Sequence, residues 1–248
     1  MKKILKIIQV ILFIIIIICL WNIINWYLNN IHTSQSLKEI EEIANIKEVD
    51  IKVKNDFQVK GLNINFDELL LKNKDTIAWL RVNGTNINYP VVQATDNSFY
   101  LDHSFDKSAN SAGWVFADYR NDFMKLDKNN IIYAHSRLNG SMFATLKNAL
   151  EKKWCDCEEN RYILLSTLKE NLIWEVFSVY TIPAESFYTS TYFQSDEEYI
   201  KFLNTIKQRS IYNFNVDLTK EDKILTLSTC NNLNNSGRIV MHAKLLQI

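Results

Sequence analysis

Three side chains with complementary chemistry stand at the ends of apolar runs in this 248-residue chain. Cys230 closes Ile224-Leu-Thr-Leu-Ser-Thr-Cys230, Arg238 opens Arg238-Ile-Val-Met-His-Ala-Lys-Leu-Leu246, and His135 closes Ile131-Ile-Tyr-Ala-His135. The thiolate is the nucleophilic form of cysteine, and a neighbouring cation favours it. An acyl transfer run by that thiolate also needs an acid for the departing amine and donors for the oxyanion. His135 and Arg238 are the right residue types for those two tasks. On the hairpin alone a plainer reading stays open, with Cys230 as a core residue beside an unrelated surface arginine, because free cysteine is often core filler. The other histidines offer less: His32 falls in a stalk, His103 in a loop, and His242 inside an apolar run where a packed strand residue is expected.

The remaining cysteines point away from metal and disulfide chemistry. Cys19 lies in an apolar N-terminal segment, and Cys155 and Cys157 form a C-x-C pair with no second pair or histidine cluster to complete a site. No evenly spaced set suggests a disulfide framework. Neither a metal nor a cofactor is expected. With 28 basic and 28 acidic residues the formal net charge is zero, which gives no sign of a nucleic-acid partner.

The elements that must carry these residues follow from periodicity. Residues 7–28 are almost wholly apolar, long enough to span a bilayer as a helix. Lys2, Lys3 and Lys6 in the 1–6 tail place the N-terminus inside, and Trp21, Trp26 and Tyr27 suit the far interface. Residues 20–28 offer no small-residue cleavage site, so an uncleaved anchor is expected, with the rest of the chain extracytoplasmic. Residues 34–48 show helical spacing, 52–60 read as a polar linker, and 65–72 as a short helix capped by Asn65. The 29–60 region is expected to pack on a domain spanning 61–248.

From Thr76 the period shortens. Residues 77–82 and 87–92 read as strands about an Asn83-Gly84 turn, followed by strands at 114–118, 130–135, 162–167 and 172–182. Residues 141–152 read as a helix. Residues 196–209 form a stronger one, with Tyr199, Phe202, Leu203 and Ile206 as its stripe. The closing hairpin completes a mainly β chain with added helices, whose many short strands suggest a closed or nearly closed β-barrel.

Thr226-Leu-Ser-Thr-Cys230, followed eight residues on by Arg238-Ile-Val-Met-His-Ala-Lys, closely resembles the active-site signature of sortases. Tyr133-Ala-His135-Ser-Arg-Leu-Asn-Gly-Ser-Met-Phe resembles the histidine motif of class B sortases, as do Asn86-Ile-Asn-Tyr-Pro-Val-Val-Gln and Asp96-Asn-Ser-Phe-Tyr-Leu-Asp-His-Ser-Phe. The resemblance covers roughly residues 36–248. It implies a closed eight-stranded sortase barrel with N-terminal helices and a long helix before the catalytic strand. It also implies a membrane-anchored cysteine transpeptidase, in which Cys230 is the nucleophile, His135 the general acid/base and Arg238 the support of substrate and oxyanion. The partners implied are secreted proteins with a C-terminal sorting signal, cleaved after Thr, and a peptidoglycan amine as acceptor. Asn97 and Leu101 match the family's Asn-x-x-Tyr-Leu groove element, and Ser228 matches its serine two before the cysteine. Ser195, Tyr199 and Ile200 are assigned to a loop-helix wall of the groove. Three positions depart from the pattern: Ala134 stands where glycine is usual, Ser136 where a polar amide is common, and Asn231 where an acidic residue often follows the cysteine.

Other classes remain to be separated. A papain-like peptidase needs its cysteine before its histidine, the reverse of the order here. An L,D-transpeptidase-like wall enzyme shares the His, Cys, Arg order, but its cysteine usually follows glycine and has arginine two residues on. A membrane-tethered binding module would make Cys230 plain core. Class C sortases, which build pili, carry a lid and a second membrane segment; neither is read here, so wall anchoring is expected.

Overall fold

The computed structural model describes residues 2–53, 57–230 and 237–246, and of Cys230 the backbone. Helix α1 (Lys2–Ala44) opens the chain. Strands β1 (Lys47–Lys52) and β2 (Gln58–Asn63) form a separate two-stranded antiparallel sheet, and α2 (Phe66–Lys72) follows. Then come β3 (Thr76–Val82), β4 (Ile87–Val92), β5 (Phe116–Ala117) and β6 (Asn129–Ala134). After them lie the short α3 (Lys152–Asp156), β7 (Tyr162–Thr167), β8 (Asn171–Pro183), α4 (Asp196–Gln208), β9 (Ile224–Cys230) and β10 (Gly237–Leu245).

Eight strands close into a barrel in the order β10-β8-β7-β3-β4-β5-β6-β9, as expected from the many short strands. All neighbours are antiparallel except β4 with β5 and β6 with β9. Closure leaves the barrel without an exposed edge. The core is carried by Trp79, Trp114, Trp174, Leu80, Phe143 and Phe177, all fully buried.

Three expected elements come out differently. The apolar anchor segment and the 34–48 helix are one continuous helix, because nothing between them is Gly or Pro to break it. Its lower part is exposed and strongly apolar, with an 18-residue window of mean hydropathy 3.0. Its upper part buries Ile40 and Ala44 on the barrel, and a fully buried isoleucine contributes about 2 kcal/mol. The expected linker at 52–60 instead supplies the ends of β1 and β2; Val59 and Leu62 are buried, and Ser166 Oγ donates to Leu62 O. The expected helix at 141–152 splits into a 3-10 stretch, Ala144–Leu150, and α3. Met142 has φ of 56° and forms a β-bridge with Ser136, so no helix can start at 141.

Candidate active site

Strand register assembles the site. β6 and β9 run parallel with Ala134 opposite Thr229, so one further step puts His135 beside Cys230. On the other side β10 pairs antiparallel with β9, and Arg238 is opposite Cys230 itself. Neighbouring strands lie about 4.8 Å apart, so the imidazole and guanidinium residues flank the thiol-bearing position on adjacent strands. The three candidate catalytic residues therefore share one rim.

The cleft at this rim opens on the outer face of the sheet. Ser178 on β8 donates its hydroxyl to Ile206 O of α4, and Ser178 is paired with His242 of β10, which is paired with Thr226 of β9. Alternation then sets Thr226 and Ser228 on the α4 side of the sheet. A cleft of about 260 Å³ lies there, floored by Tyr133, Ala134, Ser228 and Thr229 and flanked by His135 and Arg238. Asn97, Leu101, Phe116 and Tyr188 complete its lining.

The His135 ring is held from outside the barrel. Its Nε2 lies 2.7 Å from Leu101 O, and a carbonyl can only accept, so Nε2 carries the proton. Among the described residues Nδ1 has no partner. Phe143 N donates to His135 O at 2.9 Å, fixing the start of the loop behind the ring. Gly113 makes the contact possible. Its φ is +61°, and a Cβ there would lie 2.6 Å from Tyr100 O, 2.7 Å from Leu101 O and 3.0 Å from His135 Cδ2. Ala134, at the glycine-preferring position, is the last residue of an extended strand and needs no special φ.

Arg238 is half-buried, and its Nη1 donates to Gly237 O at 3.0 Å. Among the described residues no carboxylate pairs with it. The nearby Arg120 is the opposite case. Its Nε and Nη2 grip Asp118 at 2.8 and 2.7 Å, and its Nη2 also donates to Thr189 O. Asp118 is buried, which works against its charge, yet the hydrogen bonds and charge of Arg120 hold its carboxyl below the usual range. Burial and the Asp118 carboxylate together push the Tyr133 phenol up, so its hydroxyl stays a donor to Asp118 at 3.0 Å. Asn97 spans the same group, donating to Asp118 Oδ2 and accepting from Tyr119 N. Asp118 is thus a buried post beneath the cleft.

Asn97, Leu101 and Ser228 line the cleft. Ser195, Tyr199 and Ile200 do not, and this corrects the assignment of a wall to them. Ser195 caps α4, its Oγ accepting from Glu198 N. Tyr199 is buried, with its hydroxyl directed to Lys128 O and Asp222 O, the residues leading into β6 and β9. That is the opposite rim, roughly 20 Å down a six-residue strand. Ile200 lines an open groove of about 570 Å³ with Asp196, Asn204 and Lys220, which contains none of the three candidate catalytic residues. The wall of the cleft is instead the β8–α4 connection, where Tyr188 reaches Ser228 Oγ with its hydroxyl at 3.1 Å. Tyr188 and Phe116 were missed; the signal for Tyr188 was an aromatic pair, Phe187-Tyr188, which with Tyr192-Phe193 interrupts the otherwise small and polar connection. Asn231 lies outside the described residues.

Comparison with known proteins agrees with this geometry. The sortase domain family matches residues 80–246. Sortase B of Staphylococcus aureus is 31% identical over 256 residues, covering 100% of this chain and 99% of that protein. Sortase B of Listeria monocytogenes is 38% identical over 176 residues, 70% and 71% of the two chains. The crystal structure of sortase B from B. anthracis in complex with AAEK1 superposes with a TM-score of 0.76 at 34% identity, covering 90% of this chain and 100% of that one. These matches set aside the L,D-transpeptidase and binding-module readings: the chain belongs to the sortase family of cysteine transpeptidases, in its class B.

Proposed function

We propose that this chain cleaves a C-terminal sorting motif of secreted proteins after Thr and transfers the acyl group to a peptidoglycan amine. Cys230 is the nucleophile, His135 the general acid/base, and Arg238 the oxyanion and substrate support. Asn97, Leu101 and Ser228 contact the bound motif. The single observation carrying this reading is the row His135, Cys230, Arg238 at the ends of three adjacent strands, His135 one residue past β6.

The Cys230 thiol gives its proton to His135 Nδ1, and the thiolate attacks the threonine carbonyl carbon, forming the C–S bond and a tetrahedral oxyanion. Arg238, with no carboxylate competitor among the described residues, donates to that oxyanion. Its planar fork supplies two parallel donors, which lysine cannot. The C–N bond then breaks, and His135 gives a proton to the departing amine. An incoming amine loses its proton to the imidazole, attacks the thioester and releases the thiolate. The Nε2–Leu101 bond fixes the imidazole plane through both half-reactions, leaving Nδ1 to carry the transferred proton.

The apolar part of α1 anchors the protein in the membrane, with residues 1–6 inside and the barrel outside at the cell wall. In support of the substrate reading rather than the anchor, S. aureus sortase B has been crystallised as a substrate complex at 32% identity to this chain, with a TM-score of 0.69 and coverage of 74% and 85% of the two chains. Incubating the protein with a library of sorting-type pentapeptides and reading the acyl-enzyme by mass spectrometry tests the reaction. A thioester on Cys230 with one peptide class is expected. Absence of any acyl-enzyme across the library would refute the reaction.

A further inference from the structure

Beneath the cleft wall runs a chain of buried polar groups that the proposed chemistry does not use. His242, Thr226 and Asn129 are all fully buried, on the three adjacent strands β10, β9 and β6. Thr226 Oγ1 lies 2.8 Å from His242 Nδ1 and donates to Asn129 Oδ1 at 2.6 Å. Asn129 Nδ2 donates to Tyr188 O at 3.1 Å and Ser190 O at 2.9 Å. At the far end Tyr180 Oη lies 2.9 Å from His242 Nε2, and the Arg209 guanidinium faces the same hydroxyl as a donor.

The chain has one direction, set at both ends. The Asn129 amide protons are taken by two backbone carbonyls, so its Oδ1 can only accept. The single Thr226 proton therefore points to Asn129, and His242 must donate through Nδ1. Burial, and then the charge of Arg209, push the His242 imidazole down to about 3, so the ring is neutral and its Nε2 accepts from Tyr180. Arg209 cannot accept, which turns the Tyr180 proton toward His242. Every polar atom in the row is satisfied, and a fully satisfied buried network fixes one arrangement.

That arrangement holds the cleft wall. The carbonyls of Tyr188 and Ser190 bracket the end of the 3-10 turn Phe187–Thr189. The same turn is pinned by the Tyr188 hydroxyl on Ser228 and by Arg120 on Thr189 O. His242 and Thr226 lie four residues down their strands from Arg238 and Cys230, roughly 13 Å away, too far to touch a reacting atom. We propose that Asn129, Thr226 and His242 are positioning residues that set the Tyr188 wall and thereby the affinity for the acyl-donor peptide. The peptide-affinity part rests on the transpeptidase reading above; the positioning of the wall does not.

The test uses the full chain in detergent. Thr226→Val keeps the shape and removes the hydroxyl, Thr226→Ser keeps the hydroxyl, and Asn129→Asp removes the two donors to the wall. Three readouts are taken: steady-state cleavage of a fluorogenic sorting peptide, iodoacetamide alkylation of Cys230, and hydrogen exchange over residues 184–192. Thr226→Val and Asn129→Asp should raise KM about tenfold, with kcat within threefold and alkylation within twofold of the parent. Exchange at 186–190 should rise at least tenfold, and Thr226→Ser should restore both KM and protection. Unchanged exchange in a cooperatively folded Thr226→Val protein overturns the proposal, as does alkylation that falls about tenfold as KM rises. If the parent cleaves no peptide while exchange responds as stated, the wall device stands and the transpeptidase reading is what fails.

Discussion

The two rims of the barrel differ in how their charges are spent. Among the described residues at the rim holding Cys230, Arg238 has no carboxylate partner and His135 Nδ1 has no hydrogen-bond partner. At the opposite rim the charges are consumed by pairing. Asp196 takes Lys128 at 3.0 Å and Lys220 at 2.8 Å, Asp222 takes Lys244 at 3.0 Å, and Lys223 caps Lys125 O. That second rim carries the larger hollow, about 1000 Å³ lined by Lys169, Glu170, Asp222 and Lys244 among others, against about 260 Å³ at the site. Size does not mark the reactive end. What marks it is a cation and an imidazole left uncommitted beside a thiol position, on strands whose register holds them together.

The sharpest way to break this contrast is to remove the thiol. Cys230→Ala should abolish both cleavage and transfer, with activity below detection. Cys155→Ala and Cys157→Ala should leave them nearly intact. Cys155 is buried with its thiol against Ala149 O, and burial pushes that thiol up to about 11, which leaves it protonated at neutral pH. Equal loss in either of those two variants, measured by peptide cleavage, would move the nucleophile away from this rim.

Next in size is the uncommitted cation. Arg238→Lys keeps the charge and loses the fork, and a lost oxyanion donor typically costs about a hundred- to a thousandfold in rate. Near-normal cleavage by the lysine variant would mean that charge alone suffices. Slow cleavage with an unchanged pH profile of iodoacetamide alkylation at Cys230 would locate the loss in the transition state instead.

A smaller effect is expected one step behind His135. Gly113→Ala places a Cβ against the carbonyls of Tyr100 and Leu101 in a backbone conformation that L residues resist, at a cost of about 1–3 kcal/mol. Because Leu101 O is the partner of His135 Nε2, kcat should fall about tenfold while Cys230 alkylation stays within threefold. A variant with parental kcat and a lowered Tm would make Gly113 structural only.

The reactive rim was legible in sequence through the sortase-like motifs around His135, Cys230 and Arg238, because the apolar runs that end on them left Cys230 open as plain core. The many short strands announced a closed or nearly closed barrel, and the same resemblance its eight strands. The wall was not. The stripe Tyr199, Phe202, Leu203, Ile206 correctly announces α4, but helical periodicity says which face is buried and nothing about which end meets the site. The Phe187–Thr189 turn that does form the wall is three residues long, too short for any period. The misplaced helix at 141–152 has a similar cause: the positive φ of Met142 is imposed by its bridge to Ser136 across the loop, a tertiary demand that local propensity does not encode.

The smallest expected effect on activity tests the opposite rim directly. Tyr199 gives its hydroxyl to Lys128 O and Asp222 O, so it ties the entry of β6 to the entry of β9, while Ile200 faces the α4 groove. Tyr199→Phe removes the one hydroxyl proton shared between Asp222 O and Lys128 O, the latter keeping Ile224 N as a donor, and should cost about 1–2 kcal/mol of stability, read as a lower Tm. Ile200→Ala removes a half-buried side chain and should cost less. Neither should change KM for the sorting peptide by more than twofold, because the row His135, Cys230, Arg238 lies a full strand length away. If Ile200→Ala raised KM tenfold without altering Tm, the peptide would have to run along α4, and the cleft wall would belong to that helix after all. If KM holds for both variants while Tm falls for Tyr199→Phe, the two rims are separable in function, one binding and reacting and the other only closing the barrel.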